Sequence, residues 1–277
     1  MSPRLLWFFG LACLLGAALI RFWPAPPPSP VPAAPAVSAP PAVEPEAAAT
    51  APPAPGEPAR PRLAIVIDDC GQWLDTERAF IALPFPVTLS VLPHVRYGPE
   101  IAREAEAAGK GVMLHLPMQA VSGRYPGPGT ITTAMSDDAI RTAVSGDLAE
   151  LPQARGVNNH EGSRATADPR VMGDVIGVLA ADGRFFIDSR TTAATVGETV
   201  ARERGVPTAE RNVFLDNVDD EATVAAQVRR ALDQARATGA TIAIGHPRPA
   251  TLAALRDLSA QAAADGVDLT LASALVR

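Results

Sequence analysis

Cysteine is nearly absent from this sequence: Cys13 and Cys70 are the only two in 277 residues. Cys13 lies in an apolar N-terminal run and Cys70 is alone in the part of the chain that can fold, so an intramolecular disulfide is excluded there. A block of basic residues is also lacking, and the net charge is −6, which argues against nucleic acid as a partner. No H-E-x-x-H or C-x-x-C motif is present, so any metal site must be assembled from distant residues.

Residues 24–61 contain few large apolar side chains but 15 of the 28 prolines. Such a stretch cannot bury enough surface to offset its ordering entropy, and it is predicted to be a disordered Pro/Ala-rich linker. It follows residues 1–23, where the apolar run Leu5–Ile20 is flanked by Arg4, Arg21 and Trp23. This segment is predicted to be a signal peptide or an N-terminal membrane anchor, and its length and flanks favour an uncleaved anchor over residues 5–23. Either interpretation predicts that the domain over residues 62–277 is exported.

From residue 62 onward, short apolar runs alternate with amphipathic helical patterns. The runs are LAIVI, VTLSVL, GVMLHL, GVNN, RFFI, NVFL, TIAIG and VDLTLA. Unbroken apolar runs that alternate with helices are typical of a parallel sheet covered on both faces. Seven or eight such units in about 215 residues favour a closed or nearly closed α/β barrel over an open doubly wound sheet.

Helix signals separate these runs. Asp168 and Pro169 predict a helix start, Ser136 is a candidate N-cap, and Gly239 is a candidate helix stop. A further apolar stripe after Pro249 consists of Leu252, Leu255 and Leu258, which predicts one helix there.

Polar residues follow the apolar runs at the predicted strand ends. They include all four histidines of the chain: Asp68, Asp69, His94, His115, His160, Asp188, Asp216 and His246. The carboxyl ends of all strands of a parallel β/α barrel lie at the same face, where active sites are built. We therefore expect these residues to converge on one mouth, although a single histidine at such a position is as often a satisfied or exposed imidazole.

Carboxylate and imidazole together form a ligand set for a divalent metal, Zn²⁺ first and Mn²⁺, Co²⁺ or Ni²⁺ next. Hydrolysis at such a centre also needs a base and a separate acid. A carboxylate beside the metal ligand suits the first role and a histidine across the pocket suits the second. The Asp68–Asp69 pair fits this scheme if the strand has just ended. Its alternative is an Asx turn or a helix N-cap.

Weaker candidates surround these positions. The loop over residues 125–130 contains Gly127 and Gly129, and it either shapes a substrate pocket or is an ordinary turn. Arg164 and Arg190 are candidates to orient Asp68 or Asp188, with a surface salt bridge as the alternative. Asn159 is a further candidate for substrate binding, and His94 either has a direct role or merely ends its strand.

Eight blocks resemble the divergent polysaccharide deacetylases when they are taken together and in order. They are IVIDDCG, VTLSVLPH, VMLHLPM, GPGTITTAMS, GVNNHEGSR, FFIDSRTT, ERNVFLDN and IAIGHPRPATL. The resemblance implies the distorted β/α barrel of the NodB-like carbohydrate esterases and the removal of N- or O-acetyl groups from polysaccharides with a divalent metal. It also implies that Asp68 is the base, that Asp69 and His115 are metal ligands, and that His246 is the acid.

One departure from the family pattern concerns a metal ligand. Four residues after His115, where NodB-like enzymes supply a second ligand, this chain has Gln119. His160 is then the predicted third ligand, with Asp188 in reserve.

Two functions are compatible with this sequence. The first is an exported, periplasmic, metal-dependent deacetylase that acts on an envelope or extracellular polysaccharide, monomeric by default and touching the membrane only through its N-terminal segment. The alternative is a catalytically weak or inactive barrel that binds envelope glycan or acts as an assembly factor.

Overall fold

The apolar runs form one parallel sheet. The computed structural model describes residues 60–277, and within them nine strands pair in parallel throughout. The strands are β1 (Arg62–Cys70), β2 (Thr88–Val91), β3 (Gly111–Met118), β4 (Gly156–Glu161), β5 (Phe185–Asp188), β6 (Thr208–Glu210), β7 (Val213–Phe214), β8 (Ala240–Gly245) and β9 (Asp268–Thr270). The apolar runs did not predict β6, which is only three residues long.

The strand order shows a curled barrel. It runs β6-β5-β4-β3-β2-β1-β8-β7, and β9 pairs with the start of β1 beside β2. The two edge strands, β6 and β7, are separated by only two residues. Arg211 N–H donates to the Asp188 carbonyl of β5 at 2.9 Å, and Asn212 N–H donates to the Ile242 carbonyl of β8 at 2.9 Å. The distorted barrel is confirmed, because a doubly wound sheet would instead reverse its strand order at its centre.

Helices cover the outside of the barrel. They are α1 (Leu74–Ile81), α2 (Gly98–Ala107), α3 (Asp137–Glu150), α4 (Pro169–Ala181), α5 (Gly197–Glu203), α6 (Glu221–Thr238), α7 (Pro249–Leu255) and α8 (Leu258–Ala264). Ser136 and Asp168 cap α3 and α4 as expected, and α6 ends at Gly239, whose φ is 85°. The single helix predicted after Pro249 is wrong, because α7 ends at Leu255 and Leu258 begins α8.

Strand alternation separates two apolar layers. Leu63, Ile65 and Ile67 of β1 belong to the large cluster between the sheet and the helices. Ala64 and Val66 belong to a smaller cluster that lines the inside of the barrel. Side chains of a strand alternate between its two faces. A residue at the carboxyl end of a strand therefore points into the barrel mouth when it continues the inward-facing positions of that strand.

No helix within residues 60–277 combines the length and the apolar character needed to cross a membrane. The predicted signal or anchor at residues 1–23 and the linker up to residue 59 lie outside the described residues.

Candidate functional site

The end of β1 explains how adjacent aspartates reach the same mouth. Asp68 continues the inner face of Ala64 and Val66, whereas Asp69 would point outward in a regular strand. The pairing register shifts between Ile67 and Cys70, and Asp69 has a φ of 59°. Left-handed backbone is uncommon for a residue with a side chain and concentrates at functional sites. This local twist turns both carboxylates toward the mouth.

The turn after the aspartate pair is held by a different carboxylate. Glu77 is fully buried, and its Oε1 accepts the N–H groups of Gly71, Gln72 and Trp73, each at 2.9 Å. Neither Asp68 nor Asp69 caps α1, whose N-cap residue has no side-chain cap bond. The Asx-turn or N-cap interpretation of the pair is therefore wrong, and Glu77 leaves both aspartates free for the mouth.

Three side chains from three strands meet at the centre of the mouth. Asp69 Oδ1 lies 3.2 Å from His115 Nε2 and 2.9 Å from His160 Nδ1. The two imidazole nitrogens are 3.1 Å apart. One carboxylate oxygen and two ring nitrogens thus lie within 4.8 Å of one another. The three residues predicted as metal ligands are brought together, and we call them the metal cluster.

The hydrogen bonds of His115 fix which nitrogen faces the metal cluster. Its Nδ1 lies 2.9 Å from Asn158 Oδ1. The other end of this amide, Nδ2, donates to Asp68 Oδ1 at 2.8 Å and to Ser189 Oγ at 3.1 Å, so Oδ1 is the acceptor end. His115 Nδ1 therefore donates, and in the neutral ring the lone pair is on Nε2.

The metal cluster fits a divalent cation. Asp69 Oδ1 is buried and accepts no hydrogen bond of normal geometry, although two ring nitrogens lie close to it. Lone pairs of an oxygen and of His115 Nε2 that face the same space repel each other unless a cation or a proton lies between them. Burial alone would raise the pKa of Asp69, but His115 and His160 outweigh it and lower the pKa. The donor set N, N, O with an open side is that of a catalytic site for Zn²⁺ or a similar ion.

Asp68 lies beside the metal cluster and is more deeply buried than Asp69. It is 4% exposed, its Oδ1 is bonded to Asn158, and its Oδ2 lies 3.6 Å from His115 Nε2. Burial raises the pKa of Asp68, and the positive potential of His115 and His246 offsets this only in part. A carboxylate with a raised pKa and one oxygen directed toward the cluster has the properties of a general base.

His246 lies across the mouth with a carboxylate behind it. Its Nδ1 donates to Asp216 Oδ1 at 2.8 Å, and its Nε2 lies 3.8 Å from Asp69 Oδ2. Asp216 is held in turn by Thr251 Oγ1 at 2.8 Å and by the His246 N–H at 2.7 Å. Burial lowers the pKa of His246, but the hydrogen bond and charge of Asp216, together with the charges of Asp69 and Asp68, raise that pKa overall. The arrangement favours a protonated imidazole, which is what a general acid needs.

Gln119 does not face the metal cluster. Its Oε1 accepts from the Thr133 N–H and from Thr133 Oγ1, both at 3.0 Å. Its backbone N–H donates to Ile131 O at 2.8 Å. The amide therefore pins the loop between β3 and α3, and the third donor of the cluster is His160 from β4.

Three strand-end candidates bond to residues outside the metal cluster: His94, Asp188 and Asn159. His94 pairs with Asp147 at 2.8 Å and with Glu150 at 2.9 Å, both on α3. Asp188 accepts from Thr195 Oγ1 at 2.7 Å and from the Arg190 N–H at 2.8 Å, so it holds its own loop. Asn159 accepts from Ser189 N–H at 2.9 Å. Asp188 and Asn159 follow inward-facing Ile187 and Asn158, so strand alternation turns them outward.

The arginine candidates do not orient Asp68. Arg190 forms a salt bridge with Glu210 at 3.1 Å, which was the alternative prediction for this residue. Arg164 is exposed. Arg211 is the arginine whose electrostatic interaction reaches Asp68. It is fixed by the Ser189 carbonyl at 2.8 Å and stacks over Phe214 at 5.1 Å.

The glycine candidates lie in the loop between β3 and α3. Gly127 has a φ of 124° and lines a cavity with Asp69 and His160. Gly129 has a φ of 74°, and a side chain there would meet the His94 ring at 3.0 Å. Both positions therefore require glycine, but only Gly127 is next to the metal cluster.

Four further residues that support the site were not predicted from the sequence: Asn158, Ser189, Ser90 and Glu77. Ser90 donates to Asn158 Oδ1, which completes the network behind His115. Asn158 is paired in register with His115 and lies two residues before His160, so strand alternation applied to NNH favours Asn158 over Asn159. Glu77 gave no comparable signal, because a glutamate in the first turn of a helix is ordinary.

The curled parallel barrel and the mouth define a class of protein. The mouth has an aspartate pair at the end of β1, histidines on β3 and β4, and an Asp–His pair formed by Asp216 after β7 and His246 after β8. This agrees with the NodB-like deacetylase barrel except that the second histidine comes from β4 and not from the position four residues after His115. The family model for divergent polysaccharide deacetylases matches residues 65–276, and the chain belongs to that family.

Relatives and solved structures agree with this assignment. The chain is 38% identical to an uncharacterized protein of Haemophilus influenzae over 72% of this chain and 71% of that protein. It is also 38% identical to the uncharacterized protein YibQ of Escherichia coli over 71% of this chain and 62% of that protein. The crystal structure of uncharacterized protein ATU2773 from Agrobacterium tumefaciens superposes with a TM-score of 0.74 at 23% identity, covering 81% of this chain and 92% of that one. A structure of T48 deacetylase with substrate has a TM-score of 0.50 at 15% identity, covering 77% and 89%. The two structures support the fold.

Proposed function

We propose that this protein is a divalent-metal-dependent hydrolase that removes acetyl groups from a polysaccharide. The main support for the proposal is the metal cluster, in which one donor atom from each of Asp69, His115 and His160 lies within 4.8 Å of the other two, inside a deacetylase-family barrel. When bound there, a divalent cation supplies Lewis-acid chemistry, acidifying water and polarising an acyl carbonyl.

Two side chains of this protein serve the two proton transfers, Asp68 as the base and His246 as the acid. Asp68 accepts the proton of the attacking water, since burial raises its pKa and Asn158 occupies only one of its oxygens. His246 gives a proton to the departing amine or alcohol of the sugar, since Asp216 holds its Nδ1 and leaves Nε2 directed toward the cluster. Separate groups thus serve as base and acid, as acyl transfer requires.

The substrate and its location belong to the same proposal. The family assignment supports a polysaccharide, and the apolar run Leu5–Ile20 ahead of a proline-rich stretch supports export. We infer a periplasmic domain, tethered by residues 5–23, that acts on an envelope or extracellular glycan.

The inactive alternative rested on Gln119. Because a catalytic site needs only three protein donors and His160 stands where a third donor is needed, the amide at position 119 does not by itself disable the mouth. A barrel that only binds glycan remains the second outcome of the test below.

Elemental analysis of the purified full-length protein, combined with turnover of a generic acetyl ester in the same sample, tests the function. We expect close to one divalent ion per chain and metal-dependent turnover. Asp69→Ala and His115→Ala should lose both, whereas His94→Ala, which removes a histidine outside the metal cluster, should keep both. If the protein binds no divalent ion at micromolar concentration, the proposal of a metal-dependent hydrolase is wrong. Metal binding without any acyl hydrolysis would favour the alternative of a barrel that only binds glycan.

A further inference from the structure

Two cavities adjoin the metal cluster, one next to His246 and the other next to His160. One, of about 370 Å³, is lined by Asp69 and His246 together with Trp73, Thr76, Arg248 and two prolines. The other, of about 210 Å³, is lined by Asp69 and His160 together with Leu92, Val95 and four prolines. The acid must stand next to the leaving group. If His246 is the acid of the proposed function, the sugar occupies the first cavity and the acyl group faces the second.

We propose that the first cavity is a sugar subsite built from Trp73 and Arg248, and that it takes a sugar carrying a carboxylate. The inference rests on the proposed function, because it uses His246 to decide which side the sugar enters. It adds the chemical class of the glycan, an acidic one.

Trp73 provides the flat surface of the subsite. It is 52% exposed although it adjoins a buried strand end, and within residues 60–277 it is the only tryptophan. Its backbone is not free to move, because the Trp73 N–H is bound by Glu77 Oε1 at 2.9 Å. A large aromatic face held at the edge of a polar mouth loses little entropy when an amphipathic ring stacks on it. A sugar ring, with one face of C–H groups, fits this surface.

Arg248 provides the charge. Its Nη1 donates to the Asp216 carbonyl at 2.8 Å, which anchors one side of the guanidinium. In the part of the chain that the structure describes, no carboxylate lies within 4.0 Å of this group. The acidic groups nearby are already engaged, Asp216 by His246 and Asp69 by the metal cluster. A planar guanidinium with unused N–H donors binds a carboxylate in a two-pronged geometry.

The two side chains lie in the same cavity as the acid, so a single sugar can contact all three. Its ring lies on Trp73, its acylated amine or alcohol faces His246, and its own or its neighbour's carboxylate meets Arg248. A neutral glycan would use the first two contacts only and would bind more weakly.

Equilibrium binding of a matched glycan pair tests the subsite. The first probe is a hexosamine tetrasaccharide in which alternate sugars carry a lactyl carboxylate, and the second is the same compound with its carboxylates reduced to alcohols. Both are titrated calorimetrically into the full-length protein carrying Asp68→Asn, which blocks turnover under the proposed mechanism. We expect the carboxylated glycan to bind at least about tenfold more tightly.

Variants of the two residues separate their contributions. Trp73→Ala should weaken both probes by about tenfold, whereas Trp73→Phe, which keeps an aromatic ring at this position, should weaken them less. Arg248→Gln should bring the ratio of the two affinities to about one, and Arg256→Gln, which removes an exposed arginine outside the cavity, should leave the ratio unchanged. A loss of folding in any variant is monitored by its melting temperature, and Arg248→Lys, which keeps the charge, should restore part of the ratio.

The outcomes also separate this inference from the proposed function. Equal affinities for the two probes, or a ratio that survives Arg248→Gln, overturn the acidic subsite even if the protein hydrolyses acetyl esters. A ratio that depends on Arg248 supports the subsite even if metal analysis and turnover fail.

Discussion

The buried amide behind His115 offers a sharp test of the metal cluster. Asn158 bonds to Asp68 at 2.8 Å, to His115 at 2.9 Å and to Ser189 at 3.1 Å, and it accepts from Ser90. Asn158→Ala removes all four contacts at once. His115 then loses the partner that keeps its Nε2 lone pair toward the cluster, and Asp68 loses the amide that donates to its Oδ1.

The magnitude follows from those contacts. A hydrogen bond to a charged group contributes about 1.5–3 kcal/mol and an unsatisfied buried partner costs a similar amount, so we expect the free energy of unfolding to fall by about 3 kcal/mol. Partners that orient a metal-binding histidine are worth about 10–100-fold in metal affinity. The dissociation constant for Zn²⁺ should rise by that factor.

Asn159→Ala is the matched control. Asn159 is also buried in β4, but its amide bonds to the Glu161 carbonyl at 2.8 Å and to the Ser189 N–H at 2.9 Å, on the opposite face of the strand. It should lower stability to a similar extent without changing metal affinity. Stability is measured by denaturant unfolding of the metal-free protein, and metal affinity by competition with a chelator. Equal Zn²⁺ affinity in the Asn158→Ala variant and the wild type would refute the assignment of His115 Nε2 as a ligand.

Three further predictions concern the surroundings of the site. Gln119→Ala should release the loop bonded through Thr133 and increase hydrogen exchange there while Zn²⁺ affinity stays the same; a large loss of affinity would mean that the amide is a ligand. Glu77→Ala leaves three N–H groups without their acceptor and should lower the free energy of unfolding by about 3 kcal/mol, whereas Glu77→Gln, which keeps the oxygen, should cost less by the same measurement. Burial lowers the pKa of His246, but the hydrogen bond and charge of Asp216 together with the charges of Asp69 and Asp68 raise it overall. The interaction of His246 with these carboxylates therefore stabilises the metal-free fold below about pH 6.5 and is lost as the pH rises through the folded-state pKa. Asp216→Asn should therefore lower the His246 pKa in an NMR titration and cost more stability at pH 5 than at pH 9; an unchanged pKa would contradict the pairing.

Much of the fold was predictable because it depends on local patterns. Apolar runs broken by helix signals indicated a parallel barrel, and the helix caps at Ser136 and Asp168 were read from single residues. Strand β6 was missed since three residues at a sheet edge carry no periodicity, and the stripe after Pro249 was read as one helix because leucine spacing does not show a break between Leu255 and Leu258.

The candidate site was predicted where strand ends alone sufficed. Asp69, His115 and His160 were expected together and do meet, because parallel strands deliver their carboxyl ends to one face. Asp188 and Asn159 were chosen as site residues without regard to strand alternation, and the structure turns them outward. His94 ends its strand like the other histidines, but α3 supplies it with two carboxylates.

The order of apolar runs and strand-end residues along the chain was enough to predict the parallel barrel and the family, and it made Asp69, His115 and His160 candidate metal ligands. The partners of these candidates followed only from the folded chain. The Asn158 bond that orients His115, the Gln119 bond to Thr133 and the Arg248 bond to Asp216 join different segments of the chain, and the left-handed backbone at Asp69 interrupts the alternation of its strand. Such contacts leave no periodic signal in a single sequence.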